Sequence, residues 1–179
     1  MAKEPLWMNV PLEAVTCPID QIGHEHFESD DAALKFIWDR AKRNTLCHGL
    51  ISVLFCWSSE AFTVIRLDSL FRVTKSTKEA EFAVHSFARA VASADKTEGL
   101  AIFLGYKEFS GMAFAERVAL LMESRHNKEY THVVTALIQR DADGNISELV
   151  DHNPVDCSVR PFLQEPIDKI GSGFFRPIH

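Results

Sequence analysis

Cys47, His132, Asp151 and Asn153 are the residues of this chain whose types and order suit nucleophilic chemistry. Thiol catalysis needs a cysteine held as thiolate, an imidazole to take its proton, and an oxygen acceptor that orients the imidazole. Cys47 follows a break expected at Asn44 and Thr45. If Thr45 caps a new helix, Cys47 falls in its first turn, where the amide end of the helix stabilises a thiolate. His132 is expected at the start of a strand, with Asp151 or Asn153 ending the strand paired to it. A hairpin turn centred on Asp143 and Gly144 sets Arg140 opposite Ser147 and His132 opposite Val155. That register projects His132, Asp151 and Asn153 from one sheet face, with Asn153 the diagonal neighbour. The chemistry implied is that of a cysteine-dependent hydrolase or acyl-transferase. Cys47 is its nucleophile, His132 its general base, and Asp151 or Asn153 the orienting acceptor.

A cysteine, then a strand histidine, then Asp or Asn on the next strand is similar to the order in papain-like and transglutaminase-like folds. The motif residues around the nucleophile of those folds have no counterpart here. A packing explanation competes: Cys47 lies in an apolar run, cysteine is among the most buried residue types, and His132 then merely edges a strand. This second reading makes the chain a non-catalytic ligand- or protein-binding regulatory domain, its small molecule or partner protein held on an aromatic-lined surface.

A third reading is metal binding. His24 and His26, one residue apart on a strand, would face the same way and share an ion given a third ligand. Against it stands an ordinary polar turn ahead of Ser29, since no partner spacing is specified. The stretch from Asp141 to Asn145 resembles a calcium loop, but its glycine comes two positions early and no Glu follows at the required distance. The pattern has neither a phosphate-binding glycine loop nor a serine-hydrolase elbow, so no cofactor is expected. His85 reads as a boundary histidine beside the apolar face of a helix.

Composition bounds these readings. The chain has 179 residues, 25 acidic against 19 basic, and a formal charge of -6. Nucleic acid is an unfavoured partner for such a balance, because phosphate binding draws on a basic surface. The short cluster Arg40, Lys42 and Arg43 is expected at a helix end, where the dipole favours cations. No apolar run approaches the ~20 residues of a membrane span, and residues 1–5 do not resemble a secretory signal. The scattered cysteines, Cys17, Cys47, Cys56 and Cys157, read as reduced thiols of a cytoplasmic protein. Oligomeric state is not legible. Thirteen Phe and three Trp supply a core without staples.

The elements that must position these residues follow from local signals. Residues 1–28 are expected as an extended N-terminal segment. Ser29 caps a first helix, Asp30 and Asp31 complement its positive end, Leu34, Ile37, Trp38 and Ala41 form its apolar face, and Asn44 ends it. Residues 46–57 are almost continuously apolar and fit a buried strand or a buried helix. A strand is expected over 61–67. Ser76 with Glu79 makes a capping box for a second helix with Ala80, Ala83, Val84, Phe87, Ala88 and Val91 inward. A short strand follows at 100–104. A third helix from Ser110 or Gly111 carries Phe114, Val118, Leu121 and Met122. Residues 131–140 and 145–151 form a hairpin, and a Pro-rich arm over 154–179 wraps the body. The whole is expected as one α+β domain over 1–179 with a mainly antiparallel sheet and about three helices.

Overall fold

Two serines open the long helices as their spacing requires. The Ser29 hydroxyl accepts from the Ala32 amide at the start of α2 (Asp30–His48), and that of Ser76 accepts from Glu79 at the start of α4 (Thr77–Ala92). The Glu79 carboxylate reaches back to the Lys75 amide, one residue earlier than in the usual reciprocal box. The remaining elements are β1 (Ala14–Pro18), α1 (Ile19–Ile22), a 3-10 turn at His24–Phe27, β2 (Val53–Trp57), β3 (Ala61–Arg66), α3 (Asp68–Val73), β4 (Gly99–Ser110), β5 (Ala113–Ser124), β6 (His132–Arg140) and β7 (Ile146–His152). The computed structural model describes residues 10–93, 96–110, 112–126 and 131–152.

Among the described residues, seven strands join one antiparallel sheet in the order β1-β3-β2-β4-β5-β6-β7, and the fold is α+β. The sheet is buried on both faces, because its central strands carry apolar side chains at both parities. One face sends Phe55, Phe62, Phe103, Leu120 and Met122 against Ile37, Trp38 and Ala41 of α2. The other sends Leu54, Leu100, Ile102 and Leu121 against Leu70 and Phe71 of α3 and Ala83 and Val84 of α4. Burying each of the larger side chains contributes about 1.5–3 kcal/mol. Among the described residues, no helix is long and apolar enough to cross a membrane.

Four local expectations are corrected. The first helix does not end at Asn44: Thr45 is buried beneath it, and the chain stays helical to His48. Gly49, at φ +82°, supplies the terminating backbone, with its amide bonded to the Thr45 carbonyl. The apolar run therefore splits, its first residues finishing α2 and residues 53–57 forming β2. Arg40, Lys42 and Arg43 consequently lie in mid-helix. The third helix is absent, and β5 takes its place. Val118 to Met122 are all buried, so a strand with both faces covered contains positions that also fit helical spacing. The N-terminal segment is extended only in part: residues 14–18 pair with β3 as a largely exposed edge strand, and α1 and the 3-10 turn then interrupt the extension.

The C-terminal hairpin forms where expected, with Gly144 at φ +84° and the Asp141 carboxylate accepting from the Asp143 and Asn145 amides. A bulge shifts Arg140 to face Ile146, but the body of the ladder keeps the expected register, Gln139 opposite Glu148 through Thr135 opposite His152. Asn153, Cys157 and the Pro-rich arm lie outside the described residues.

Candidate functional site

β5 ends and β6 begins at one end of the sheet, and there the N-terminus of α2 meets them. Asp30, in the first turn of α2, is the hub. Its Oδ1 accepts from the Ser124 hydroxyl at 2.5 Å, and its Oδ2 lies 3.1 Å from His132 Nε2. Ser124 is fully buried, and the Asp30 and His132 side chains are largely so. The Ser124 oxygen also accepts from the His126 amide. On the opposite sheet face the buried Glu123 accepts from the Thr131 hydroxyl at 2.6 Å. Two carboxylates thus clamp the base of the β5–β6 connection, one on each face. Charge-assisted bonds of this kind are about twice as strong as neutral ones.

Beside this clamp lies a cleft of about 420 Å³. Its walls are the β2–β3 turn with Ser59 and Glu60, the lead into β4 with Lys96, Thr97 and Glu98, and the exit of β5 with Arg125 and His126. Backbone bonds carry the ladder past the strand ends: the Glu98 amide donates to the Trp57 carbonyl, and the Arg125 amide to that of Glu98. The Ser58 hydroxyl accepts from the amides of Glu60 and Ala61 and fixes the turn. Lys96 and Glu60 pair across the cleft at 2.9 Å.

Of the residues singled out in the sequence, the described ones are not gathered into one site. His132 has a carboxylate partner as expected, but the partner is Asp30. Asp151 shares the face of His132, as the register requires, yet stands opposite Ala136, about 13 Å further along the ladder. Its oxygens are taken by Trp38 Nε1 at 3.1 Å and Lys42 Nζ at 2.8 Å, which fasten β7 to α2. Cys47 is exposed in the last turn of α2, the carbonyl end, where no helix amides face a thiolate. Seventeen residues of helix separate it from Asp30, so it stands about 25 Å along the axis from the carboxylate that holds His132. His48 adjoins Cys47 in sequence, but consecutive helical side chains do not face each other.

Nor does the structure present His24 and His26 as a ligand pair. They sit in a 3-10 turn, where the side chains of residues two apart point about 120° away from each other. His24 Nε2 bonds Asp20 at 2.6 Å, and the His26 ring stacks on Phe36 at 4.4 Å. Among the described residues no group of three or more His, Cys, Asp or Glu side chains is placed to hold a metal ion.

Ser124, Lys96 and Arg125 carry no local signal in the sequence that marks them for a site. Asp30 carries the ordinary signal of a helix first turn, and its partners lie 94 and 102 residues away. Replacing Asp30 with Ala leaves a buried hydroxyl and an imidazole without their acceptor, a loss of about 2 kcal/mol. Asp30→Asn, which keeps an oxygen towards Ser124, is expected to lose about half as much. The urea midpoints of the two variants, compared at equal slope, check this.

Compared with known proteins, the chain matches no family model, no curated protein and no solved structure.

Proposed function

We propose that this chain is a non-catalytic binding domain that holds a small polar ligand in the cleft at the end of the sheet. The observation that carries this reading is the double clamp on the β5–β6 connection. Asp30 and Glu123 fix Ser124, Thr131 and His132, and so hold Arg125 and His126 in place at the cleft wall. Rigid elements that present polar groups to a concave surface are the usual construction of a binding site. The 25 Å span of α2 between Cys47 and the His132 partner favours binding over thiol chemistry. A cytoplasmic setting is part of the proposal and is supported by the free thiols of Cys17, Cys47 and Cys56.

The test is saturation-transfer NMR of the full chain with separate panels of amino acids, nucleosides, monosaccharides and small carboxylates. Signal is expected from one panel, and a Ser59→Trp variant, whose ring fills the cleft, should lose it. Silence from all four panels, or signal that survives Ser59→Trp unchanged, removes the cleft as a binding site.

A further inference from the structure

We infer that the free edge of β1 is a self-association surface, where a second copy of this chain adds its own β1 across a two-fold axis. The main-chain hydrogen bonds show which groups the edge offers. The Ile19 amide donates to the Glu60 carbonyl and the Arg66 amide to the Glu13 carbonyl. Bonded pairs alternate along an antiparallel ladder, so the odd-numbered residues of β1 direct their main-chain groups to β3. Those of Ala14 and Thr16, and the carbonyl of Pro18, point away from the sheet, and among the described residues no strand takes them. The two edges of the sheet differ. β7 carries Glu148 and Asp151 and has a bulge in its ladder with β6, devices that keep other chains off an edge. β1 reads Ala-Val-Thr-Cys-Pro without a charge, and Val15 is 65% exposed. After Pro18 the chain turns inward, Ile19 being buried in the core beneath α2, so α1 leads away from the edge.

A second copy is the occupant because the strand is complementary to itself in one register. With the axis at Val15, Ala14 pairs with the partner's Thr16 and Thr16 with the partner's Ala14, each pair exchanging both main-chain bonds. Leu12 comes opposite the partner's Pro18, whose carbonyl takes the Leu12 amide, so the proline ends the ladder without blocking it. Val15 meets the partner's Val15 as a direct cross-strand pair, and each covers the other's exposed methyl groups. Moving the axis to Glu13 sets Glu13 opposite the partner's Glu13, and moving it to Ala14 sets Val15 against the partner's Glu13; both are poorer pairs. The association closes on itself, since both copies use the same edge and neither keeps a β1 edge to extend. Two short strands bury less than the ~1,200 Å² of a standard interface, so the dimer is a weak one.

Sedimentation velocity of the full chain in reducing buffer, from about 5 to about 500 µM, reads a weak association of this kind. The weight-average mass should rise from one chain towards two and no further. Val15→Lys sets like charges across the axis and should weaken the dimer about tenfold or more. Val150→Lys, on the opposite edge, should leave it unchanged. Both positions are exposed, and unchanged melting temperatures of the variants exclude misfolding as the cause. Residues directly opposed in a non-bonded pair have Cα atoms about 4.5 Å apart, within disulfide range. Oxidation of Val15→Cys should therefore join two copies through the introduced thiols, identified by peptide mass. A single-chain mass at every concentration overturns the inference, whether the edge stays bare or is covered by another segment of the same chain. So does a dimer that survives Val15→Lys, a dimer whose introduced thiols do not join, or a mass that climbs past two chains.

Discussion

Replacing Gly99 with Ala is expected to destabilise the protein by about 3 kcal/mol, near the top of the usual range for overpacking. Gly99 of β4 stands directly opposite Trp57 of β2, and the benzo side of the indole occupies the space where a side chain would be. A Cβ at this position would come within 2.0 Å of Trp57 Cζ2. The ring cannot retreat easily, since Trp57 is buried and packs at 5.5 Å against Phe27. Alanine is the better strand residue by roughly 0.5–1 kcal/mol, so propensity and overlap compete and overlap wins. Gly105 offers a contrast, because its new methyl would meet the end of the flexible Leu50 side chain, which can rotate aside. Urea unfolding at 25 °C of Gly99→Ala, alone and combined with Trp57→Leu, measures the clash directly. The double-mutant cycle should return a coupling above 1 kcal/mol. Additive losses, or a cost below 0.5 kcal/mol for Gly99→Ala, would show that the indole is not held over the glycine.

Acid is expected to weaken the fold through His85, with a loss of up to about 3 kcal/mol between pH 6.5 and pH 4. Burial on α4 lowers its pKa from the ordinary 6.5 to about 4, since desolvation disfavours the imidazolium. Within that window the unfolded chain binds a proton that the folded chain does not. Stability therefore rises with pH across it, and the contribution is fully present above 6.5. Glu81, one turn earlier, acts in the opposite sense. Burial raises its carboxyl pKa above 4.5, and what it contributes falls as the pH climbs through the raised value. A His85→Gln variant separates the two, because Glu81 is common to both proteins. Plotted against pH, the unfolding free energy of His85→Gln should be flatter than that of the wild type from 6.5 down to 4. Parallel curves would mean that His85 is protonated without cost in the folded state.

Which parts of this protein were legible from its sequence follows from how local each signal is. Ser29 and Ser76 announced their helices because a cap and its partner lie three residues apart. Asp143 and Gly144 located the last hairpin, and with it the shared face of His132 and Asp151, since a tight turn sets the register of both strands. β5 was misread because burial on both faces erases the alternation that marks a strand. The end of α2 was misplaced because Asn44 looked like a stop, while the decisive signal was Gly49, five residues on. The candidate site was legible only in half. His132 has a carboxylate beside it, but that carboxylate is Asp30, 102 residues away in sequence and not on the strand paired with β6. Asp30 reaches His132 only because α2 crosses the sheet with its N-terminus at the head of β6, and no local pattern encodes that crossing.

The strand order also sets how the chain assembles. From β4 to β7 each strand pairs with its successor in sequence, so this half of the sheet is built from local contacts. β2 meets β4 only after the chain has passed through β3, α3 and α4, and closing that excursion costs loop entropy before any contact compensates it. The slow event in folding is therefore the seam between β2 and β4, where Trp57 settles over Gly99. The clamp at Asp30 can close only when α2, on one side of that seam, is brought against β5 and β6 on the other. The cleft, whose walls come from both sides, is thus among the last features to take shape.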